Sequence, residues 1–286
     1  MRYIDVLSRI GLVAHTIEIV ERATAKSLKQ YARQPLGGAL AASEPPAGAR
    51  PVWSQKTGHV QYIDLSALAL ALECDGHVHI AVHSGDLVHP AQPLAWLLDS
   101  RCGGGPQAVD GAAAQTLTRA SDAAVRKAFV IGAERSFEQD AGFGLIVLSE
   151  IAQRALSPAV NDPGTAIAVL GSQTRLLINA LATPLDTTAS VCDRVTAAAA
   201  QPEALVAVAY EAIARCSMSQ FDVMQQWLRH LAALVANAPP AVQAAAIQLV
   251  QRVLARAARS GADSEDMANW QATATSLGLV PGLGRG

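Results

Sequence analysis

Three carboxylates and their polar neighbours are the residues in this chain whose types and spacing could do chemistry. Asp140, Glu150 and Asp162 lie within a stretch that also holds Arg135, Gln139, Arg154, Ser157, Asn161 and Thr165. Carboxylate, amide and hydroxyl oxygens are hard donors of the kind that hold a divalent cation. Asp140, Glu150, Asn161 and Asp162 around such an ion would make a metal-assisted hydrolase. A structural alternative uses the same residues. Asp162-Pro163 is a helix cap followed by proline at the first helical position, and Asn161 suits an Asx-type turn. Glu150 and Arg154 are four apart and face each other on a helix. An anion site is disfavoured, because Asp162 repels phosphate and no lysine is near.

The histidines offer a second candidate. His77, His79 and His83 alternate along one strand face, but residues 77 and 83 are about 20 Å apart on an extended strand. Only His77 with His79, or a folded-back His83 with His89, could share an ion, and a solvated strand face is the simpler reading. Nucleophilic catalysis lacks support: no Gly-x-Ser-x-Gly elbow exists, and no glycine loop is followed by a phosphate-binding lysine. No cofactor is expected.

Composition narrows the remaining classes. Hydrophobic residues make up 51 % but aromatics only 4 %, an alanine-rich balance that suits closely packed helices. A net charge of -2 gives no basic stripe for nucleic acid. Cys74, Cys102, Cys192 and Cys216 form no CxxC pair, which argues against a disulfide framework or a zinc knuckle. The segment from His230 to Gln251 has no charged residue but is broken by Pro239-Pro240, so the chain reads as having no membrane span.

The elements that must position these residues follow from periodicity. Residues 3–33 read as one helix with Val6, Ile10, Val13, Ile17 and Val20 at heptad spacing, docked on its own core or on another copy. Residues 35–56 read as a linker. Residues 57–99 read as a small α/β unit, with strands at 58–63, 77–83 and 93–98 and a short helix capped by Asp64. The string from Ser84 to Leu94 resembles the hairpin of lipoyl- or biotinyl-type barrel-sandwich domains. It lacks their modifiable lysine, since none lies between Lys56 and Lys127. Residues 100–112 read as a second linker, and 113–277 as a helical domain with a strand at 129–132. Ser136 and Gln139 have capping-box spacing, placing a helix from 136 to 156. Further helices are expected from 162 to 181 and over 189–199, 203–215, 219–236, 240–259 and 264–277, with a frayed tail from Gly278. The fold class is α+β: a barrel-sandwich-like β-rich unit, then a mainly helical domain, behind a long N-terminal helix.

The block from Arg135 to Ala166 resembles the bacterial predicted membrane protein family called domain of unknown function 2254. The matching residues are Arg135, Gln139, Asp140, Phe143, Gly144, Leu145, Leu148, Ile151, Ala152, Arg154, Ala155, Leu156, Ser157, Pro158, Asn161, Asp162, Pro163, Thr165 and Ala166. Ser136 stands where the family usually has Thr. An upstream element matches at Gly58, Val60, Gln61, Ile63 and Asp64. The resemblance implies a membrane parent, with 3–33 leaving the bilayer from a missing or separate N-terminal region and this portion cytoplasmic. The expected role is a noncatalytic regulatory or assembly domain that forms homo-oligomers. A weaker alternative is a small-ligand sensor, with an apolar pocket between Trp96 and the helical domain.

Overall fold

The computed structural model describes residues 2–72, 76–98, 121–186 and 193–280, with side chains in the first helix described from residue 13 onward. The chain forms two compact units. One draws on Met1–Lys29, Ala141–Thr183 and Gln201–Gly286, the other on Gln30–Asp140 and Pro184–Ala200. One of the points where the chain passes between them, Asp140/Ala141, falls inside the signature block. Cys74, Cys102 and Cys192, the whole 100–112 linker and residues 281–286 lie outside the described residues.

The mixed unit contains β1 (Leu40–Ala41), β2 (Arg50–Trp53), β3 (Gly58–Ile63), α2 (Leu65–Ala71), β4 (His77–Ile80), β5 (Leu87–Val88), β6 (Pro93–Leu98), helical residues 121–127 (α3), β7 (Phe129–Gly132) and β8 (Val195–Ala197). A five-stranded sheet runs β1-β8-β4-β6-β2, and a three-stranded sheet runs β5-β3-β7. β8 pairs in parallel with β1 and β4, and the remaining ladders are antiparallel. The class is α+β as expected; among the described residues neither sheet closes on itself, so a barrel-sandwich is not shown. One buried cluster unites the two sheets and α2, with Val52, Val60, Leu68, Val78, Val88 and Val195 fully inaccessible.

Two segments depart from their composition. The proline-rich 35–56 stretch supplies β1 and β2 rather than linker alone. Pro51 is tolerated because β2 is an edge strand among the described residues. The alanine-rich 189–199 stretch, expected as helix, ends in β8. The β-branched pair Val195-Thr196 completes a ladder there, with Val195 buried against the core.

The helical unit contains α1 (Arg2–Arg33, its last turn falling in the other unit), α4 (Phe143–Ala155), α5 (Pro163–Leu181), α6 (Ala204–Cys216), α7 (Phe221–Asn237), α8 (Pro240–Arg259) and α9 (Ser264–Ser276). In α1 the residues Ile17, Val20, Thr24 and Leu28 are buried. The described part of the heptad seam is therefore docked on its own chain. Gly144 in α4 makes this possible: a Cβ there would collide with the Thr24 side chain. Glu21 and Arg175 add a bidentate ion pair between α1 and α5. Trp227 is fully buried and donates from Nε1 to the Tyr210 carbonyl at 3.0 Å. Burial of a ring that size is worth about 4–6 kcal/mol relative to exposure. Gly278 does not begin a frayed tail. It takes φ +71°, Leu279 N–H reaches the Ala274 carbonyl, and Leu279 is fully buried, a Schellman closure of α9. Among the described residues, no helix is long and apolar enough to cross a membrane.

Candidate functional site

The first part of the signature block, Arg135–Asp140, belongs to the mixed unit and is built around an irregularity in β3. The β3–β7 register slips between Val60 and Tyr62. A bulge of this kind takes a residue out of the ladder and frees its carbonyl. The Gln61 carbonyl instead accepts from Ser84 Oγ at 3.2 Å and from Ser136 Oγ at 3.3 Å. The Gln61 side chain donates from Nε2 to the Glu134 carbonyl at 2.7 Å. Gln139 brackets the end of the strand. Its Oε1 accepts from Ile63 N–H at 2.8 Å, and its Nε2 donates to the Ile63 carbonyl at 3.1 Å. These bonds replace the capping box expected from Ser136 and Gln139. The helix begins instead at Phe143, with Gly142 at its cap.

Arg135 donates from Nε and Nη2 to Asp140 Oδ2, both at 2.7 Å. The Asp140 side chain is only 4 % exposed, so the pair is held largely away from water. Gly85 caps it. At φ +96° the glycine sits so close that a Cβ would overlap Asp140 Oδ2 and lie 2.8 Å from Arg135 Nη2. The turn carrying Gly85 is tied to β3 by Gly85 N–H to the Val60 carbonyl at 2.7 Å and Val60 N–H to the Asp86 carbonyl at 2.9 Å. Asp86 Oδ2 accepts from His83 N–H at 2.8 Å. Hydrogen bonding to Asp86 raises the His83 pKa, and hydrogen bonding from His83, aided by the Arg135 charge, lowers that of Asp86.

The second part, Ser157–Thr165, belongs to the helical unit and forms the elbow between α4 and α5. Ser157 Oγ donates back to the Arg154 carbonyl at 2.7 Å. Asn161 adopts φ +46°, the left-handed conformation asparagine tolerates best after glycine. Its N–H reaches the Ser157 carbonyl at 2.8 Å, and its Oδ1 accepts from Gln220 Nε2 at 3.0 Å. Asp162 caps α5 as expected. Its Oδ1 accepts from Thr165 N–H at 3.1 Å and its Oδ2 from Thr165 Oγ1 at 2.6 Å. Glu150 and Arg154 are exposed, and no ion pair forms between them among the described residues. The candidate oxygens thus divide. Asp140 belongs to one unit, and Glu150, Asn161, Asp162 and Thr165 belong to the other.

The histidine candidates divide similarly. His79 is buried, not solvated, and its Nδ1 lies 3.0 Å from Thr196 Oγ1. Burial lowers its pKa, which favours the neutral ring. His77 is only partly buried, opposite Leu98 in the ladder. Among the described residues, no group of three His, Cys, Asp or Glu side chains could hold a metal ion.

A polar network inside the helical unit lay outside the expected set. Gln173 Nε2 donates to the Leu145 carbonyl at 3.1 Å and to Ser149 Oγ at 2.9 Å, and Ser149 Oγ donates to the Ala209 carbonyl at 3.0 Å. Thr174 Oγ1 meets Tyr210 Oη at 2.8 Å and His230 Nδ1 at 3.1 Å. Burial pushes the Tyr210 pKa up and the His230 pKa down, so both stay neutral. The available signal was Ser172-Gln173-Thr174, three adjacent polar residues at the centre of α5, all of them buried.

The comparison with known families is decisive on kinship. The family described as "Predicted membrane protein (DUF2254)" matches residues 1–233. The chain belongs to that family. Similar proteins include an uncharacterized protein of Mycobacterium bovis and another of Mycobacterium tuberculosis. Each is 35 % identical over 127 residues, which is 44 % of this chain and 22 % of the relative. The match therefore spans about a fifth of the length of those relatives. No solved structure matches. Membership in DUF2254 agrees with the motif elements at Gly58–Asp64 and Arg135–Ala166, which build the β3 bracket and the α4–α5 elbow.

Proposed function

We propose that this chain is a noncatalytic regulatory or assembly domain of a bacterial membrane protein, placed on the cytoplasmic side and acting through contacts between copies. One observation carries the reading: Arg135, Gln139, Asp140 and Asp162 of the signature block are engaged in holding the fold. Arg135 is paired with Asp140, Gln139 with the Ile63 backbone, and Asp162 with Thr165. A catalytic carboxylate needs access to substrate and a poised pKa; Asp140 is nearly inaccessible and Asp162 serves as a helix cap. The family description supports the membrane parent. The heptad spacing supports assembly through the beginning of α1, where Val6 and Ile10 continue the seam that Ile17 and Val20 bury within the chain.

Sedimentation velocity tests this reading. A dimer or larger species that Ile10→Asp converts to a folded monomer is the expected result. A monomer at all concentrations would contradict it.

A further inference from the structure

The outer side of the three-stranded sheet carries a groove of about 310 Å³ lined by Gln61, Tyr62, Val130, Ser136 and Glu138. Tyr62 and Val130 stand opposite each other across the β3–β7 ladder and remain 36 % and 48 % exposed. This is an apolar, aromatic floor with a carboxylate at its side. We propose that the groove binds a basic extended peptide segment of a protein partner, seating one arginine side chain between the Tyr62 ring and the Glu138 carboxylate.

Charge complementarity selects the occupant. Glu138 is exposed and has no ion-pair partner among the described residues, and no Lys or Arg is among the lining residues. The same carboxylate disfavours a phosphate or nucleic-acid ligand. A guanidinium suits the mixture better than an ammonium. It is planar, weakly hydrated, stacks on an aromatic face and presents its donors in a fork that matches a carboxylate. Gln61 spends Nε2 on the Glu134 carbonyl, which leaves Oε1 as a further acceptor.

The groove is also held in shape. The Glu138 backbone N–H approaches Ser136 Oγ at 3.4 Å, and the next residue, Gln139, is fixed to both polar groups of Ile63. A partner would find the site preformed, which lowers the ordering cost of binding. The backbone supplies the second half of the recognition. Among the described residues β7 pairs only with β3, so its outer edge can accept an added strand. A strand there places alternate side chains on the face that carries Val130.

The test is an amide-resolved NMR titration of the whole chain with the capped peptide Val-Arg-Val-Thr, alongside the same peptide carrying citrulline, the uncharged isostere, in place of arginine. The expected shifts fall on residues 61–62, 129–132 and 136–138. Citrulline is expected to weaken binding about fivefold, as an exposed ion pair allows. Glu138→Gln should abolish the difference between the peptides while leaving the rest of the spectrum unchanged. Tyr62→Ser should weaken the arginine peptide about threefold. Absence of shifts at these residues, equal binding of both peptides, or an unchanged preference in Glu138→Gln would overturn the proposal.

Discussion

Arg135–Asp140 and Ser157–Thr165 belong to one sequence motif, yet they spend their polar atoms differently. The first set pairs Arg135 with Asp140 five positions on, and its other members reach far along the chain. Gln139 bonds a strand residue 76 positions away, and Ser136 bonds one 75 positions away. The second set bonds at home: Ser157 to Arg154 and Asp162 to Thr165, each three positions apart. Among the described residues, Gln220 reaches in from a distance, to Asn161. Long-range bonds fix tertiary placement, whereas local bonds fix the direction of the chain. Substitutions in the first set should therefore cost more than chemically similar ones in the second.

The sharpest contrast is between two glycines. Gly85→Ala should cost roughly 3–5 kcal/mol, because it combines a strained φ with overlap on a buried ion pair. Gly164→Ala should be neutral or stabilise by about 0.5–1 kcal/mol, since the new Cβ lies in α5 and approaches only Asp162 Oδ1, at 3.4 Å. Urea denaturation of both variants checks the pair, and equal costs would break the comparison. The next contrast is between two aspartates. Asp140→Ala should cost about 3 kcal/mol, because Arg135 is left without its main partner. Asp162→Ala should cost about 1 kcal/mol, the usual value of a lost helix cap.

The same distinction explains what could be read in advance. The Asp162-Pro163 start, the Asp64 cap and the last four helices follow from local rules, and the structure places them within two residues of expectation. Ser136 and Gln139 satisfied a local pattern by coincidence of spacing. Their atoms are claimed by Gln61 and Ile63, a demand arising from the β3 bulge that no window around residue 136 contains. β8 was missed for a similar reason. Its identity as a strand depends on β1 and β4, both more than a hundred residues earlier. Of the residues singled out, Arg135, Gln139, Asp140, Ser157, Asn161, Asp162 and Thr165 make specific polar contacts while Glu150 and Arg154 stand exposed, and spacing could not distinguish oxygens gathered around an ion from oxygens bonded within the fold.

Smaller effects should appear with pH. The His83 pKa is raised above 6.5, so its contribution is present below that value and lost as pH rises through the higher folded-state pKa. The His230 pKa is lowered, so the helical unit loses stability as pH falls below 6.5 toward the folded-state value. His230 meets Thr174, which also meets Tyr210, and the Arg175 charge adds to the burial that keeps it neutral. Imidazole NMR titration should place His83 above and His230 below 6.5, and the reverse order would refute the assignment. His79 behaves like His230 for the same reason, its burial, and acts in the mixed unit against His83.

The central proposal is that Asp140 and Asp162 hold the fold and that the chain works by assembling. Native mass spectrometry of the purified chain with and without Mg²⁺, Ca²⁺ and Zn²⁺ tests it most directly. The account predicts an oligomer whose mass is the same in every condition. A monomer carrying one stoichiometric ion, lost on Asp140→Ala or Asp162→Ala, would contradict it and favour the metal-assisted hydrolase.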